Sequence, residues 1–275
     1  MKDTRIGFIG GGNMGRSLVG GLLKNGWAPE KIAIAERDPN QRDTVFRLLN
    51  LVCELSNTNL ATKVDVLVLA IKPQDVRSVI KEIAAPAQER ELLILSIVAG
   101  IREQDIQRWL GGGLAIVRAM PNTPALVGSG ATGLYANALV SEPQRDLAES
   151  ILRAVGITVW LDDESLIDVV TALSGSGPAY YLMMMESLEK AAVAQGLTPT
   201  TARLLTLETA YGTAKMALES REGPAQLRHQ VTSPGGTTEC AIDTLTQGDM
   251  PGLLASALDA ATTRSRELAE LLGQD

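Results

Sequence analysis

Short apolar runs alternate with stretches of helical periodicity over residues 5–160 of the chain. Runs that are apolar throughout are typical of buried strands, because both faces of such a strand are covered. The predicted strands are residues 6–9, 31–36, 66–70, 92–97, 115–119 and 157–160. The predicted helices are a segment that starts near Gly15, residues 73–85 and residues 143–155. The alternation predicts an α/β fold whose parallel sheet has helices on both faces.

The alternation stops at the acidic turn Asp162-Asp163-Glu164. Over residues 166–272 the pattern predicts helices only, among them 178–195, 199–219 and 239–245. We therefore divide the chain into an α/β domain, residues 1–162, and an all-helical domain, residues 163–275.

Several helices of the second domain are apolar on nearly all sides. A domain of about 110 residues cannot bury so much apolar surface on itself, which predicts oligomerisation. The aromatic and methionine residues at helical spacing are assigned to packing rather than to a ligand site; they are Tyr180, Tyr181, Met183, Met184 and Met185.

The first predicted strand leads directly into Gly10-x-Gly12-x-x-Gly15. The chain must turn sharply at Gly10, its backbone must approach a pyrophosphate at Gly12, and Gly15 must let helix and strand pack closely. Amides at the start of the helix then face the phosphates. With a strand before it and a helix and a strand after it, the motif predicts a dinucleotide-binding βαβ unit.

The second predicted strand ends in Glu36-Arg37. An acid about 20 residues past the glycines binds a ribose 2′-hydroxyl, whereas an arginine nearby favours a 2′-phosphate. Both residues also fit a solvated turn, since Arg37-Asp38-Pro39-Asn40 is a good turn sequence. The residues alone therefore leave the choice of cofactor open.

Composition narrows the class of protein. The 275 residues carry a net charge of −7 and 3% aromatic residues, which argues against a nucleic-acid partner. No stretch approaches the roughly 18–20 apolar residues of a membrane span, and no signal-peptide core precedes the first strand, so we expect a cytoplasmic protein. Cys53, Cys240 and the single His229 give no metal-ligand spacing, and we expect neither a metal nor a catalytic triad.

The turns that follow the predicted strands are candidates for a cofactor groove, because ligands collect at the carboxyl ends of parallel strands. Residues 70–74, 98–100 and 120–124 form such turns, each a rigid corner with few polar groups. Taken singly, Lys72 also fits a surface lysine and Asn122 a turn cap. Their shared location favours a functional role.

Two glycine-rich segments lie in the helical half, residues 173–180 and 231–239. The second precedes a predicted helix and combines a proline corner, two glycines and several hydroxyls, which makes an amide-rich concavity suited to a carboxylate. An ordinary interhelical loop capped by Thr237 or Thr238 explains the same residues.

Five motifs together resemble those of the pyrroline-5-carboxylate reductase family: residues 10–15, 70–74, 118–124, 174–180 and 232–238. The resemblance is colinear over essentially the full length, and the last two motifs are specific to that family. It implies a Rossmann-type domain followed by an all-helical C-terminal dimerisation domain. It further implies the last step of proline biosynthesis, in which hydride from a nicotinamide cofactor reduces 1-pyrroline-5-carboxylate to L-proline.

The resemblance also implies roles for individual residues, with NADPH as the cofactor and NADH as the alternative. The residues implied at the cofactor are Gly10, Gly12, Asn13, Met14 and Gly15 on the pyrophosphate, Arg37 and Asn57 near the adenosine ribose, and Ala70, Ile71, Lys72, Pro73, Val98 and Ala99 along the nicotinamide half. Those implied at the substrate are Ser233, Gly235, Gly236, Thr237 and Thr238, with Glu164 a weaker candidate. Other members carry small polar residues where this chain has Glu36-Arg37, a departure that bears on cofactor choice. An intertwined helical homodimer that assembles in some cases into a larger ring is implied as well.

Thr238 is the predicted catalytic residue. An imine needs only one hydrogen-bonding or proton-donating group at its nitrogen, because a protonated C=N bond is already a strong electrophile. A threonine hydroxyl is a poor acid, so we expect it to orient the nitrogen or relay a solvent proton, with catalysis mainly from positioning and electrostatics. His229 is assigned to a solvated or structural position, and Cys240 receives no role.

Two other classes of protein share parts of this pattern. A β-hydroxyacid dehydrogenase resembles the chain in outline, but such enzymes use a lysine on the helix after the second glycine segment, and here that helix has none before Lys190. A nicotinamide-binding sensor without catalysis would have lost the loop of residues 233–238, which is intact.

Overall fold

The computed structural model of the chain describes residues 3–274 and forms two compact units. The first unit contains the described residues up to Ser176 and those from Ala260 onward, and the second is Gly177–Asp259.

A seven-stranded sheet forms the centre of the described part of the first unit. Its strands are β1 Ile6–Ile9, β2 Ile32–Ala35, β3 Val66–Leu69, β4 Leu93–Ser96, β5 Ile116–Met120, β6 Gly130–Ala136 and β7 Gly156–Trp160. They lie in the order β2-β1-β3-β4-β5-β6-β7. Neighbouring strands are parallel except β5 and β6. The chain reverses its direction across the sheet between β1 and β3, where such folds bind ligands.

Helices surround this sheet and make up the second unit. Those of the first unit are α1 Asn13–Lys24, α2 Pro39–Leu49, α3 Asn57–Ala61, α4 Pro73–Glu89, α5 Glu103–Leu110, α6 Glu142–Arg153 and α7 Leu166–Val170, the last followed by a π-helical turn at Thr171–Gly175. The second unit contains α8 Gly177–Ala194, α9 Pro199–Glu219, α10 Pro224–Gln230 and α11 Thr237–Gln247. The last helix, α12 Met250–Leu272, begins in the second unit and ends in the first.

The core of the first unit lies on both faces of the sheet. Alternate strand residues contribute to opposite clusters, so that Phe8 joins one cluster and Ile9 the other. Leu18 of α1 covers the first face and Ile80 of α4 the second, and both side chains are fully buried. This packing confirms the predicted α/β class with helices on both faces.

The sequence did not predict β6, and the expectation of a purely parallel sheet is wrong at this strand. The segment Gly130-Ala-Thr-Gly-Leu-Tyr-Ala lacks the apolar run of the other strands and contains two glycines, which are depleted in strands. Packing explains one of them, because a Cβ atom on Gly133 would lie 2.9 Å from Val170. Helices α2, α3 and α5 were not predicted either.

The boundary between the two compact units comes after Ser176, later in the chain than the predicted domain boundary between residues 162 and 163. Ile167 and Ala172 are buried with the first unit, and Val170 packs against Gly133 of β6. The end of α12 also belongs there, because Ser265 Oγ donates a hydrogen bond of 2.6 Å to Asp168. The predicted boundary for the functional domains stays a prediction.

The long helices of the second unit expose many large apolar side chains. Tyr181 and Met183 of α8 are 66% and 71% exposed, and Tyr211 of α9 is 66% exposed. Side chains from these two helices line a cavity of about 880 Å³. Within a single chain these residues therefore do not belong to a core, so the packing predicted for them requires an interface. None of the described helices is both long and apolar enough to cross a membrane.

Candidate cofactor and substrate sites

The glycine turn between β1 and α1 has a different requirement at each of its three motif positions. Gly10 has φ +105°, and a Cβ atom there would lie 2.4 Å from the carbonyl oxygen of Ala70. A Cβ atom on Gly15 would lie 2.4 Å from the carbonyl oxygen of Gly10. A Cβ atom on Gly12, in contrast, would have no neighbour within 4 Å. The protein's own packing thus requires two of the glycines, and the third opens onto space that a pyrophosphate fits.

Arg16 lies beside this turn and was missed by the sequence reasoning. Its Nη1 donates to the carbonyl oxygen of Gly11 at 2.5 Å, and its Nη2 donates to Asn13 Oδ1 at 2.7 Å. Asn13 is the first residue of α1 and is exposed, whereas the neighbouring Met14 packs partly buried against the core. Arg16 therefore places a positive charge at the glycine turn, and its position directly after the last motif glycine could have indicated this.

A cavity of about 290 Å³ opens at the carboxyl ends of β1 and β2. Four of the predicted cofactor residues, Gly10, Arg37, Asn57 and Ile71, line it together. Additional lining residues that the sequence did not assign to the site include Asp75 and Ser78 at the start of α4. Its location next to the glycine turn is that of an adenosine subsite in a doubly wound sheet.

Glu36 also lines this cavity, and its carboxylate is bonded to the backbone around it. One oxygen accepts the Gly11 amide at 2.8 Å, and the other accepts the Asp38 amide at 2.9 Å. The acid at the end of β2 thus stabilises the glycine turn. A carboxylate oxygen can accept more than one hydrogen bond, so these contacts leave it able to meet a ribose hydroxyl.

The turns after β3 and β4 meet at a second cavity, of about 460 Å³. Pro73 and Ala99, two of the residues predicted for the nicotinamide half, line it. Ala70 donates its amide to Ile9 at 2.9 Å, Val98 is buried, and Lys72 is an exposed residue at the N-cap of α4. These three shape the turns without lining the cavity.

The far wall of this second cavity comes from segments that the sequence assigned to the helical domain. They include Thr171 and Ser176 near the π-helical turn and Arg264, Ser265 and Leu268 of α12. No local motif marks these α12 residues, because their location depends on the return of the last helix to the first unit.

Asn122 joins three segments and does not act as a simple turn cap. Its Oδ1 accepts the amide of Ala131 at 2.9 Å, and its Nδ2 donates to the carbonyl oxygen of Ser174 at 3.0 Å. The side chain is buried. Asn122 therefore fixes the end of β5 to β6 and to the π-helical turn, a type of irregularity frequent at functional sites.

The predicted substrate loop is a tight bend before α11 in the second unit. Gly235 has φ +69°, and the Gly236 amide donates to the carbonyl oxygen of Ser233 at 3.0 Å. The N-cap of α11 is Gly236, without a side-chain capping bond, so neither Thr237 nor Thr238 caps the helix. The capped-loop alternative considered from the sequence is therefore wrong in its choice of cap.

The start of α11 combines backbone amides with threonine hydroxyls. Thr237 and Thr238 are its first two residues, where backbone amides lack an acceptor within the helix. Thr237 is exposed and Thr238 is half-buried. The Gly235 amide is already used, because Glu239 accepts it at 2.7 Å. The Gly236 amide is used as well, by Ser233, so among the predicted amides of Gly236 to Thr238 those of Thr237 and Thr238 are the better placed.

Glu164 has a structural role in the first unit. Its Oε1 accepts from Arg118 Nη1 at 2.5 Å and from the Glu103 amide at 2.6 Å. The Arg118 side chain is only 6% exposed. Burial, followed by the charges of Glu164, Glu103 and Asp163, raises the pKa of the nearby Tyr135. Glu164 therefore neutralises a buried arginine and caps α5.

The remaining chemically distinctive residues do not line these cavities. His229 is exposed on α10, and Cys240 is exposed on α11. Burial is the main cause that raises the pKa of the Cys53 thiol. Within residues 3–274 no three His, Cys, Asp or Glu side chains are grouped as a metal site would require.

Comparison with known protein families assigns both parts of the chain. Residues 164–268 match the family described as pyrroline-5-carboxylate reductase dimerisation. Residues 5–100 match the family described as NADP oxidoreductase, coenzyme F420-dependent. The cavities at the glycine turn and the strand ends lie in the part of the fold that a nicotinamide cofactor uses in such proteins.

Full-length relatives agree with this assignment. The chain is 47% identical over 274 residues to a pyrroline-5-carboxylate reductase of Pseudomonas aeruginosa, covering 100% of both chains. It is 39% identical over 273 residues to the enzyme of that name from Haemophilus influenzae, covering 98% of this chain and all of the other.

Solved structures show the same similarity in three dimensions. A pyrroline-5-carboxylate reductase from Coxiella burnetii superposes with a TM-score of 0.93 at 45% identity, covering 97% of this chain and 98% of the other. A Plasmodium falciparum pyrroline carboxylate reductase, solved with NADP bound, gives 0.87 at 29% identity, covering 98% and 99%. The chain belongs to the pyrroline-5-carboxylate reductase family.

Proposed function

We propose that the chain reduces 1-pyrroline-5-carboxylate to L-proline with a nicotinamide cofactor. The observation that carries this proposal is its full-length similarity to reductases of that name, at up to 47% identity. The glycine turn and the bend at residues 233–238 support it, because the reaction needs both a dinucleotide site and a site for a small carboxylate.

The first unit provides the groups that would hold the cofactor. Gly12 leaves room for a pyrophosphate, and Arg16 adds a positive charge beside it. Arg37 and Asn57 face the cavity where the adenosine end belongs, and Pro73 and Ala99 line the cavity assigned to the nicotinamide. When bound there, the cofactor supplies the hydride.

The second unit provides the groups proposed for the substrate. The amides of Thr237 and Thr238 would bind the carboxylate, since helix N-termini favour anions. Ser233, Gly235 and Gly236 shape the bend that presents them. The Thr238 hydroxyl would donate to, or relay a solvent proton to, the ring nitrogen, which makes the adjacent carbon a better hydride acceptor.

The cofactor is proposed to be NADPH, with NADH as a second substrate. Support for NADPH comes from the NADP oxidoreductase family that residues 5–100 match and from Arg37 at the adenosine cavity. Glu36, at the same cavity, is the group that would bind the ribose hydroxyl of NADH.

A homodimer is the proposed minimum assembly, formed by the family-defined dimerisation region within the predicted domain 163–275. The exposed apolar side chains of α8 and α9 support this proposal. Assembly into a larger ring and the cytoplasmic location both stay predictions from the sequence.

The proposed reaction can be tested with the purified protein. We expect the absorbance of NADPH or NADH to fall when 1-pyrroline-5-carboxylate is added and to stay constant without it, with proline formed in equal amount. Absence of both signals at saturating substrate would contradict the proposed activity.

Replacing Glu164, the weaker substrate candidate, by glutamine distinguishes a structural role from direct substrate binding. We expect Glu164→Gln to lower the free energy of unfolding by about 3 kcal/mol, because Arg118 is left buried without its counter-charge. Urea denaturation measures this. The control Glu219→Gln removes one partner of an exposed pair with Lys215 and should cost less than about 0.5 kcal/mol. Unchanged stability with a raised KM for the substrate would instead support direct binding.

A further inference from the structure

A single carboxylate ties together the two residues predicted at the adenosine ribose. Glu82 Oε2 accepts from Arg37 Nη2 at 2.5 Å and from Asn57 Nδ2 at 3.1 Å. Glu82 lies in the middle of α4, with its side chain 30% exposed, and no sequence motif marks it. Asn57 is buried, whereas Arg37 is exposed and extends over the cavity it lines.

The charges around this cavity are not those of a strong phosphate site. Two acids, Glu36 and Asp75, line the cavity, and Glu82 lies directly behind Arg37. Arg42 lies beside Arg37, and its Nη1 donates to the carbonyl oxygen of Arg37 at 2.6 Å. A 2′-phosphate carries a charge of about −1.5 to −2 and would meet an arginine whose charge is already balanced by a carboxylate.

We propose that Glu82 is a positioning residue for Arg37 and Asn57 that lowers the preference of this chain for NADPH over NADH. The pairing keeps Asn57 directed at the ribose, which both cofactors share. It also sets a negative charge against the 2′-phosphate, which only NADPH has. This inference rests on the proposed use of a nicotinamide cofactor. It adds a residue that sets the choice between NADPH and NADH.

Repulsion outweighs the benefit of holding Arg37 in place. By holding the exposed Arg37 in place, Glu82 removes only part of the side-chain entropy that Arg37 would lose on binding the phosphate. The Glu82 carboxylate, within a few ångströms, repels the nearly dianionic 2′-phosphate. The guanidinium also keeps its other N–H donors when Glu82 is gone, so that it can bind the phosphate in a bidentate way.

The test compares kcat/KM for NADPH and for NADH in Glu82→Gln and in the parent protein. We expect the NADPH/NADH ratio to rise about fivefold, with the value for NADH nearly unchanged because the glutamine carbonyl oxygen can still accept the hydrogen bond from Asn57. Glu89→Gln serves as the matched control. It removes the same charge from α4 two turns further along the helix, more than one Debye length from Glu82. Its ratio should equal that of the parent. An unchanged or lower ratio in Glu82→Gln, or an equal rise in Glu89→Gln, would overturn the proposal.

Arg37→Ala provides the opposite change at the same ion pair. We expect it to lower the NADPH/NADH ratio about tenfold, since the cation facing the phosphate is lost. An unaltered ratio in Arg37→Ala would show that the 2′-phosphate is recognised elsewhere, and the role assigned to Glu82 would then be wrong. Should Glu82→Gln fail to fold, Glu82→Ala removes the same charge and must shift the ratio in the same direction.

Binding of cofactor fragments tests Glu82 without any turnover. In calorimetric titrations of the full chain, 2′,5′-adenosine diphosphate should bind Glu82→Gln about fivefold more tightly than the parent, and 5′-adenosine monophosphate should bind both equally. Equal affinity of both proteins for the bisphosphate contradicts the proposal. Because no pyrroline substrate is present, a protein that failed the reduction assay and still showed this difference would refute the proposed reaction alone.

Discussion

Replacing Thr238 by alanine is expected to lower kcat about a hundredfold, while the Kd for NADPH stays within about twofold of the parent value. The hydroxyl is proposed to act at the ring nitrogen of the substrate, and the residues that face the cofactor cavities lie in the other compact unit. Thr238 is the second residue of α11, a position that alanine occupies without strain. Steady-state turnover at saturating substrate measures the first quantity, and fluorescence titration of NADPH measures the second.

The same helix offers a matched control for this substitution. Thr244 lies six residues further along α11, and its hydroxyl donates to the carbonyl oxygen of Cys240 at 2.9 Å. Thr244→Ala removes an identical group from the same element and should leave kcat unchanged. Thr238→Ser keeps a hydroxyl at the proposed position and should retain most of the activity. If Thr238→Ala turned over substrate as fast as the parent, the hydroxyl would have no part in the reaction.

The sequence predicted those parts of the fold that depend on local pattern. Buried strands such as Val66–Leu69 are recognisable because every residue is apolar, and α9 was predicted at its observed bounds, Pro199–Glu219. Strand β6 was not predicted, because its Gly133 is required by a contact with Val170, which is distant in sequence, and not by local propensity. The contact of the end of α12 with the first unit was not predicted either, since it involves Asp168, almost a hundred residues earlier.

A similar division holds for the candidate sites. The glycine turn and the bend at residues 233–238 are contiguous motifs, so their residues indicated a pyrophosphate turn and an amide-rich concavity, while the family resemblance implied the roles of the individual residues. Glu82 bonds to Arg37 and Asn57, which are distant from it in sequence, and no pattern predicts this pairing. Arg16 was missed although its position directly after the last motif glycine could have indicated it. For Glu164 the family resemblance suggested a ligand contact, which stays a prediction, and the fold adds a contact with Arg118 that no local pattern predicts.

The glycine turn allows one chemical change, glycine to alanine, to be tested at two positions with opposite expected results. Gly12→Ala should weaken NADPH binding about 30-fold, equivalent to about 2 kcal/mol, with a change in unfolding free energy below about 0.5 kcal/mol. The backbone there has φ −68°, which alanine adopts freely, and the added methyl group meets no protein atom within 4 Å. It would instead occupy the space proposed for the pyrophosphate.

Gly15→Ala should show the reverse pattern, with a loss of about 3 kcal/mol in unfolding free energy. Its Cβ atom would lie 2.4 Å from the carbonyl oxygen of Gly10, so the turn must shift or α1 must move away from β1. Urea denaturation and NADPH titration of both variants separate the two effects. Equal stability losses in the two variants would mean that Gly12 is also required by the fold, and normal NADPH affinity in Gly12→Ala would place the pyrophosphate elsewhere. The two variants show opposite effects only if Gly12 contacts the cofactor and Gly15 contacts the protein. Each added methyl group then collides with a different set of atoms.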